Sequence, residues 1–397
     1  MIYSESVEGL NFRGRESALP LYVTKQFHTS YGKDAYRPEN EKGLPPPVNL
    51  VGSTVIEIKS RAVIHALQTV IGYYPGLSLT GDTVRINEPY APLYHYRQEL
   101  MEYHDQLVSL TGRHDCQEDR NLPHDIKLLL GLFEELWGPR VRDELERYKR
   151  PKPTCTYDML WMLFKPGTDI YLDFHENKVY DAFVFRSLIV DFESGAATDY
   201  NIRYWCMQGG LTFLGPGETF SEGVDPFAGE KEVADLSIFP CKFMTAEKHG
   251  TTHAVRHEQL VKRGKMFFHL MKGVQYMSFD GKSADWPPRP YRGRVMVDMT
   301  EYVRDHEEDI PLANDVEMSN VVTPRCSCPS CADLSRKWSR IRIQFAGYSR
   351  INPLKVGELT EHQNFLCCRY VHAYILKHRQ WSKIAVLRIA RRLRSVR

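Results

Sequence analysis

The spacing of apolar residues predicts helices in the first part of the chain. One set recurs at the spacing of a helix face, with Ser60 as the N-cap: Val63, Ile64, Leu67, Val70 and Ile71. Similar spacing predicts helices over residues 92–111 and 122–149. Gly138-Pro139 lies inside the last of these, and we expect it to kink or split that helix.

After residue 156 the apolar period falls from that of a helix to two, which is typical of strands. A short helix over residues 157–164 comes first, and a longer one is predicted for residues 253–272. The predicted strands cover residues 179–192, 200–207, 210–214, 232–243, 276–279 and 293–297. The predicted fold class is therefore α+β, with N-terminal helices followed by a bent antiparallel sheet or small barrel and a packed helix.

These patterns divide the chain into five predicted segments. They are an irregular Pro-rich arm (1–53), a helical section (54–153), a mostly antiparallel β section with one long helix (154–304), a Cys-containing loop (305–337), and a connector with a basic C-terminal helix (338–397). The arm is predicted from its proline run at residues 45–47 and its polar, Gly-rich flanks.

Composition indicates a globular protein of an intracellular compartment. The chain is 42% hydrophobic and 12% aromatic, which is enough to form a sizeable core. The N-terminus carries charges without an apolar run, so no signal peptide is predicted, and no apolar stretch is long enough to predict a membrane span. The nine cysteines are irregularly spaced, which favours reduced thiols in the cytoplasm or nucleus.

Charge is distributed unevenly along the chain. The net charge is +2, but no acidic residue follows Glu361, whereas nine Lys or Arg do, so the first 361 residues carry about −7. Residues 383–397 can form a helix with apolar residues on one side and arginines on the other. We leave two interpretations open: a helix that binds a membrane surface, nucleic acid or partner, or a solvated terminal helix.

Two segments imitate parts of a nucleotide site, but neither completes one. Gly281-Lys282-Ser283 has the end of a P-loop, yet Tyr276 stands where the first glycine is required. The acidic strand that would hold magnesium, at residues 188–193, precedes the lysine, which is the wrong order. We therefore predict that this chain does not bind and hydrolyse a nucleotide by itself.

Cysteines and histidines are the remaining candidates for chemistry. Cys326, Cys328 and Cys331 place three thiols within six residues, but a structural zinc site needs four ligands. The options for a fourth ligand are His306, His362, Cys367 and Cys368. An exposed loop and a zinc site both remain open interpretations, so no metal ligand, cofactor or catalytic residue is assigned.

Three histidines are spaced four apart: His249, His253 and His257. The intervening Gly250-Thr251-Thr252 makes one continuous helix unfavourable, and Val261 replaces the second histidine of an HExxH motif. We interpret them as a solvated helix start.

Several stretches resemble a known family. The longest is Thr156-Tyr157-Asp158-Met159-Leu160-Trp161-Met162-Leu163-Phe164-Lys165-Pro166-Gly167. Others follow in order: Phe239-Pro240-Cys241-Lys242-Phe243, Arg263-Gly264-Lys265-Met266-Phe267, Tyr276, Gly281, and Gly293-Arg294-Val295-Met296-Val297-Asp298. They resemble a fungal domain of unknown function that lies N-terminal to the core of fungal AAA-type ATPases.

The resemblance continues into the connector that precedes the motor in that family. Leu359-Thr360-Glu361, Leu366-Cys367 and Trp381 match it, and the motifs together span about residues 55–300 and 357–381. After Trp381 the chain departs from the pattern, because it turns basic and ends at Arg397 without the ATPase core. We expect a stand-alone or truncated relative, a fragment, or an early-ended gene model.

The resemblance implies a non-catalytic region that recognises a substrate or partner protein, or acts as a scaffold, without enzyme activity of its own. The sheet of residues 168–298, with the loops at residues 210–229, is expected to provide the binding surface. The alternative is a zinc-stabilised or nucleic-acid-binding protein that uses Cys326, Cys328, Cys331 and the basic tail.

Overall fold

A computed structural model of the protein describes residues 2–6, 21–27, 51–110, 121–173, 179–193, 196–210, 213–217, 220–306, 347–348 and 350–390. Within these ranges, no helix has both the length and the apolar composition needed to cross a membrane.

The N-terminal part combines one antiparallel sheet with four helices. Its elements are β1 (Ile2–Ser6), β2 (Leu21–Phe27), β3 (Val51–Ile58), α1 (Arg61–Val70), β4 (Val84–Asn87), α2 (Ala91–His95), α3 (Arg97–Leu110) and α4 (Leu122–Tyr148). The sheet order is β1-β2-β3-β4.

For β1, β2 and the start of β3, the prediction that residues 1–53 are irregular is wrong. The reason is that β2 and β3 pair across a long stretch of sequence, from Leu21 with Ile58 to Phe27 with Val51, and local patterns do not show such pairing. The proline run at residues 45–47 lies outside the described residues.

The predicted helices are largely confirmed. Ser60 caps α1 by accepting a hydrogen bond from Val63 N at 3.4 Å. The helix predicted over residues 92–111 is divided at Tyr96 into α2 and α3. Helix α4 continues through Pro139, so the expected split there is wrong, whereas the alternative of a kink stays a prediction. Trp137 and Val141, on either side of the proline, are both buried, and this core packing holds the helix together across it.

The central part consists of short segments around one five-stranded antiparallel sheet, with the order β11-β8-β7-β6-β13. Its strands and helices are β5 (Thr154–Thr156), β6 (Asp169–Asp173), β7 (Tyr180–Glu193), β8 (Ala196–Trp205), β9 (Met207–Gly209), β10 (Leu214–Pro216), β11 (Phe220–Gly223), β12 (Glu230–Glu232), β13 (Ile238–Pro240), α5 (Ala246–His249) and α6 (His253–Leu270). Short 3-10 helices cover Tyr157–Leu163, Val233–Asp235 and Cys241–Phe243. Two further pairs of strands, β9 with β10 and β5 with β12, lie beside the main sheet.

The long strands and helix α6 agree with the predictions, whereas the single strand predicted for residues 232–243 is wrong. The chain there forms β12, a 3-10 turn, β13 and a second turn. Val233, Ile238 and Phe239 are fully buried, so the segment bends to follow the core. Pro240 also lacks the N–H that a longer strand would need.

The C-terminal part forms a second five-stranded antiparallel sheet, with the order β17-β16-β15-β14-β18. Its elements are β14 (Gln275–Lys282), β15 (Pro290–Val297), α7 (Met299–His306), α8 (Glu361–Phe365), β16 (Tyr370–Ile375), β17 (Gln380–Ala385) and β18 (Ile389–Ala390). A bridge between Ser283 and Ile384 also connects the chain after β14 to β17, an edge strand of the same sheet.

The basic C-terminal helix predicted from Lys383 onward is wrong within the described residues. Lys383 lies in β17, a 3-10 turn covers Val386–Arg388, and β18 follows. Val386 is buried, and β18 forms backbone pairs with β14, so tertiary contacts override the local helical spacing. Residues 391–397 lie outside the described part of the chain.

The fold is mixed α+β, as predicted, and its described strands form open sheets rather than a closed barrel. Among the described residues, all buried hydrophobic side chains except Val55, Tyr302 and Val303 belong to one continuous cluster that runs from Leu21 to Ile389. The five-segment division remains a prediction, because a shared core neither supports nor excludes those boundaries.

Helix α6 packs tightly against α8 at Gly264. A Cβ atom added at Gly264 would lie only 1.9 Å from the backbone oxygen of Asn364. Thr360 and Gln363 form a capping box at the start of α8, which holds that backbone in place. Only glycine therefore permits this approach of the two helices.

We expect Gly264→Ala to destabilise the protein by about 1–3 kcal/mol, because the added methyl group meets rigid backbone. The matched control is Gly131→Ala on α4, where a Cβ would meet nothing within 4 Å. That control should stabilise the protein slightly, since alanine favours helices. Urea unfolding of both variants measures the difference, and equal effects would contradict the packing argument.

Candidate functional site

A groove of about 660 Å³ lies where the N-terminal helices meet the central sheet. One side consists of Leu145 of α4 and, from the α2–α3 region, Tyr94, His95, Arg97, Gln98 and Glu99. Residues from the segments 162–169 and 240–242, together with His253 at the start of α6, contribute the rest. Its volume falls in the range of ligand-binding clefts.

His95 lies at the base of the groove and is almost entirely buried. Its Nδ1 is 3.1 Å from the Tyr74 hydroxyl, and its Nε2 is 3.1 Å from the backbone oxygen of Trp161. Burial, with a further contribution from the charge of Lys165, lowers the pKa of His95 to about 3. The imidazole is therefore neutral at neutral pH, and both ring nitrogens already have hydrogen-bonding partners.

An ion pair connects two walls of the groove. Lys165 Nζ contacts the Glu99 carboxylate and also lies 4.3 Å from the centre of the Tyr96 ring. Lys165 belongs to the stretch of residues 156–167, whereas Glu99 is on α3. This contact fixes the lysine in the lining rather than leaving it extended into solvent.

Asp169, one of the lining residues of the groove, belongs to an Asp–His–Tyr chain. His362 Nε2 lies 3.0 and 2.8 Å from the two oxygens of Asp169, and its Nδ1 lies 2.6 Å from the Tyr348 hydroxyl. A hydrogen on Nε2 and a lone pair on Nδ1 satisfy both contacts. Desolvation, and then the charge of Asp169, raises the pKa of Tyr348.

A second hydroxyl–imidazole contact lies at the start of α6. The Tyr171 hydroxyl is 3.0 Å from His253 Nδ1. Burial, and then the neighbouring His257, lowers the pKa of His253. Nearby, burial followed by the charge of Asp169 raises the pKa of the Cys241 thiol well above its usual value.

These contacts define what the groove can do chemically. Its imidazoles, lysine and aspartate are held by protein groups, and its thiol is kept protonated. Among the described residues, no group of three or more His, Cys, Asp or Glu side chains could hold a metal ion. The lining instead presents charges of both signs beside apolar surface, which is suited to binding.

A buried charge cluster lies beneath the β7 end of the sheet. Arg263 contacts Asp181 with one guanidinium nitrogen, and its other terminal nitrogen donates to the backbone oxygen of Cys367 at 2.7 Å. Arg369 and Arg256 also approach Asp181, with N–O distances of 3.2 and 3.8 Å. One carboxylate therefore serves three arginines, and the cluster joins β7, α6 and the chain after α8.

The residues singled out from sequence are mostly dispersed. Gly281-Lys282-Ser283 lies at the end of β14, and residues 188–193 lie in β7, so neither forms a phosphate loop. Cys326, Cys328 and Cys331 lie outside the described residues. Of the alternative zinc ligands, Cys367 is buried and His362 is bound to Asp169.

The histidine triplet is partly as predicted. His249 ends α5 and His253 begins α6, so the expected interruption between them is confirmed. His257 is not a solvated residue, because its ring stacks on Phe365 at 4.6 Å and its Nδ1 lies 3.6 Å from Glu361. The prediction of a solvated helix start is therefore wrong for His257, and also for His249, which is buried.

The sequence patterns did not predict the contacts of the groove residues His95 and Asp169 or the buried pair Asp181–Arg263. One signal was available: Asp181 stands in an aromatic strand, and Arg263 lies among the apolar residues of α6. Opposite charges in two buried segments indicate that the segments pair. Nothing local in sequence predicts the His95 or Asp169 contacts.

Residues 146–245 match the model of a domain of unknown function, DUF7025. The DUF7025 segment includes the end of α4, the central sheet and the residues at 162–169 and 240–242 that line the groove. The chain thus contains a DUF7025 domain.

Another comparison gave a short similarity to a plant protein. Squamosa promoter-binding-like protein 2 of Arabidopsis thaliana is 29% identical over 163 residues, which is 39% of this chain and 35% of the plant protein. The chain therefore matches about a third of the length of that relative. No solved structure matches the chain.

We expect Asp181→Asn to destabilise the protein by about 3–5 kcal/mol, because three arginines lose their buried counter-charge. The control is Asp82→Asn, which breaks a solvent-exposed ion pair with Arg61 and should have a much smaller effect. Urea unfolding measures both variants. Equal stability losses would show that the cluster does not hold the fold.

The buried His95 predicts that folding stability depends on pH, and His95→Gln should remove this dependence. Its pKa in the folded state, about 3, is below the ordinary value of 6.5, so protons favour the unfolded chain. The stability difference between wild type and variant should be constant above about pH 6.5. Below about pH 6.5, the wild type should lose stability relative to the variant by up to about 1.4 kcal/mol per pH unit. Urea unfolding between pH 4 and 8 tests this, and a constant difference contradicts it.

Proposed function

We propose that this chain is a recognition module that binds a segment of a partner protein in the groove and carries out no chemistry itself. The proposal rests on the observation that two stretches far apart in sequence line the same groove. Met162, Leu163 and Lys165 come from one stretch of the resemblance, and Pro240, Cys241 and Lys242 come from another, yet all six line the same groove.

The state of the lining groups supports binding rather than catalysis. A general base needs a free nitrogen or oxygen with a suitable pKa, but both nitrogens of His95 have partners and its pKa is about 3. A nucleophilic cysteine needs a lowered pKa, and that of Cys241 is raised. Lys165 and Asp169 are held in contacts with Glu99 and His362.

A polypeptide segment fits the lining better than a purely apolar ligand. Arg97 and Lys242 are exposed cations at the groove, and Asp169 is a partly exposed anion. Leu145, Met162 and Leu163 contribute apolar side chains to the same lining. Charged side chains of a bound segment would meet opposite charges, while its apolar side chains would be covered.

The finer part of the proposal concerns the protein family. The motifs resemble a fungal domain that precedes the core of AAA-type ATPases, and regions in that position select what the motor acts on. By analogy, the groove would recognise a substrate or adaptor of such a motor inside the cell. The match to DUF7025 covers two of the motif stretches and is compatible with this role.

The alternative is a zinc-stabilised or nucleic-acid-binding protein. The name of the plant relative describes that protein as promoter-binding, and the similarity to it covers 39% of this chain. The thiols that would hold zinc are Cys326, Cys328 and Cys331. Stoichiometric zinc that survives dialysis of purified protein would favour this alternative, and its absence would oppose it.

A photo-crosslinking residue placed at Gln98, an exposed position in the groove, should capture a partner in extracts of the source cells. Lys242→Glu reverses one groove charge and should reduce that crosslink severalfold, because a binding contact becomes repulsive. Mass spectrometry of the crosslinked product would identify the partner and the contacted segment.

The matched control is Lys355→Glu, an exposed lysine outside the groove lining, which should leave the crosslink unchanged. A third variant shortens the loops at residues 210–229, which were predicted as a binding surface and of which no described residue lines the groove. If the crosslink depends on those loops and not on Lys242, the partner binds elsewhere and the groove proposal is wrong.

A further inference from the structure

The β14–β15 hairpin presents exposed rings and cations on its outward side. Met277, Phe279 and Val295 of this hairpin are buried, so the alternating residues face outward. Among the outward-facing residues, Tyr276 has 62% of its surface exposed. At the tip of the hairpin, Trp286 is 90% exposed. Two large rings are thus available near opposite ends of one ribbon.

Cations occupy the positions between and beside these rings. Lys282 and Arg294 are exposed on the outward side, and Arg289 is exposed next to the tip. In the described part of the chain, none of these three has an ion-pair partner. Arg292 lies 3.4 Å from Asp280, and both side chains of this pair are exposed to solvent. That contact is weak and exchangeable, so all four cations can meet a polyanion.

The tip is held rigidly even though Trp286 is exposed. Ser283 N donates to Arg289 O at 2.9 Å, and Arg289 N donates to the Ser283 hydroxyl at 3.0 Å. Ala284 N donates to Lys383 O at 2.7 Å, and Asp285 accepts hydrogen bonds from Lys383 N and the Ser382 hydroxyl. The Asp285 carboxylate is thus hydrogen-bonded to β17, although the residue remains exposed.

A rigid loop that exposes an indole is already organised for stacking. Pro287, Pro288 and Pro290 further restrict the backbone next to Trp286. Little conformational entropy would be lost when a ligand stacks on the ring. The surrounding charge is positive, because residues 275–297 and 370–390 contain eight Lys or Arg and only two Asp.

We infer that the outward side of the β14–β15 hairpin binds single-stranded nucleic acid. Bases would stack on Trp286 and Tyr276, and phosphates would contact Lys282, Arg289, Arg292 and Arg294. Unpaired bases expose their faces to such rings, whereas a duplex keeps its bases stacked internally. This inference is independent of the groove and goes beyond the proposed recognition of a protein.

Fluorescence anisotropy of the full chain with a labelled oligothymidylate tests the inference. With four phosphate contacts, the slope of log K against log salt concentration should be about −3. Trp286→Ala and Tyr276→Ala should each weaken binding about tenfold, because one base loses its stacking partner. Arg294→Ala should make the salt slope shallower by about 0.7.

Two controls separate the hairpin from other surfaces. Leu354→Ala removes an apolar side chain that is 76% exposed outside the hairpin, and it should leave binding unchanged. Deletion of residues 391–397 tests the basic tail, and the effects of the hairpin variants should persist in the shortened chain. Circular dichroism checks that each variant is folded.

Several results would overturn the inference. They are the absence of oligonucleotide binding at low salt, equal effects of Trp286→Ala and Leu354→Ala, or binding that depends only on residues 391–397. Tighter binding of a duplex of the same length would also contradict it, since stacking on exposed bases would then not be the recognition mode.

Discussion

The buried ion pair between Asp181 and Arg263 joins three parts of the chain that are far apart in sequence. Asp181 lies in the central sheet, Arg263 lies on α6, and the same guanidinium binds the backbone of Cys367 after α8. Gly264, the next residue, allows α6 to contact α8 directly. A charge of this kind cannot be left unpaired in the core, so its pairing determines where α6 lies on the sheet.

The position of α6 also shapes the groove. Its first residue, His253, enters the lining, while α8 places His362 within hydrogen-bonding distance of Asp169. The groove and the buried cluster are therefore two consequences of one arrangement of helices. The stretch with Arg263-Gly264 holds α6 in place, and the stretches at residues 156–167 and 239–243 contribute residues to the lining.

Local sequence patterns predicted two kinds of element. They are helices with a regular apolar face and strands whose residues alternate between buried and exposed positions. Helix α1 with its Ser60 cap, the long helix α6 and strands β7, β8, β14 and β15 were all visible in apolar spacing. The failures have a common cause. The 3-10 turn at residues 386–388, the strands within residues 1–53 and the uninterrupted α4 depend on partners that are distant in sequence. At these segments, backbone pairing and burial in the core determine the structure, rather than the local helical or irregular pattern of the sequence.

By itself, the sequence determined the α+β class, most helices and long strands, and the uneven distribution of charge, because these follow from periodicity and residue counts. The tertiary structure alone decided which charges are buried and paired, and which motif residues meet. His95 and Asp169 acquired their roles only when distant segments placed a hydroxyl, a carbonyl or an imidazole within about 3 Å of them. Hydrogen bonds and burial act over distances in space, and a linear pattern does not contain those distances.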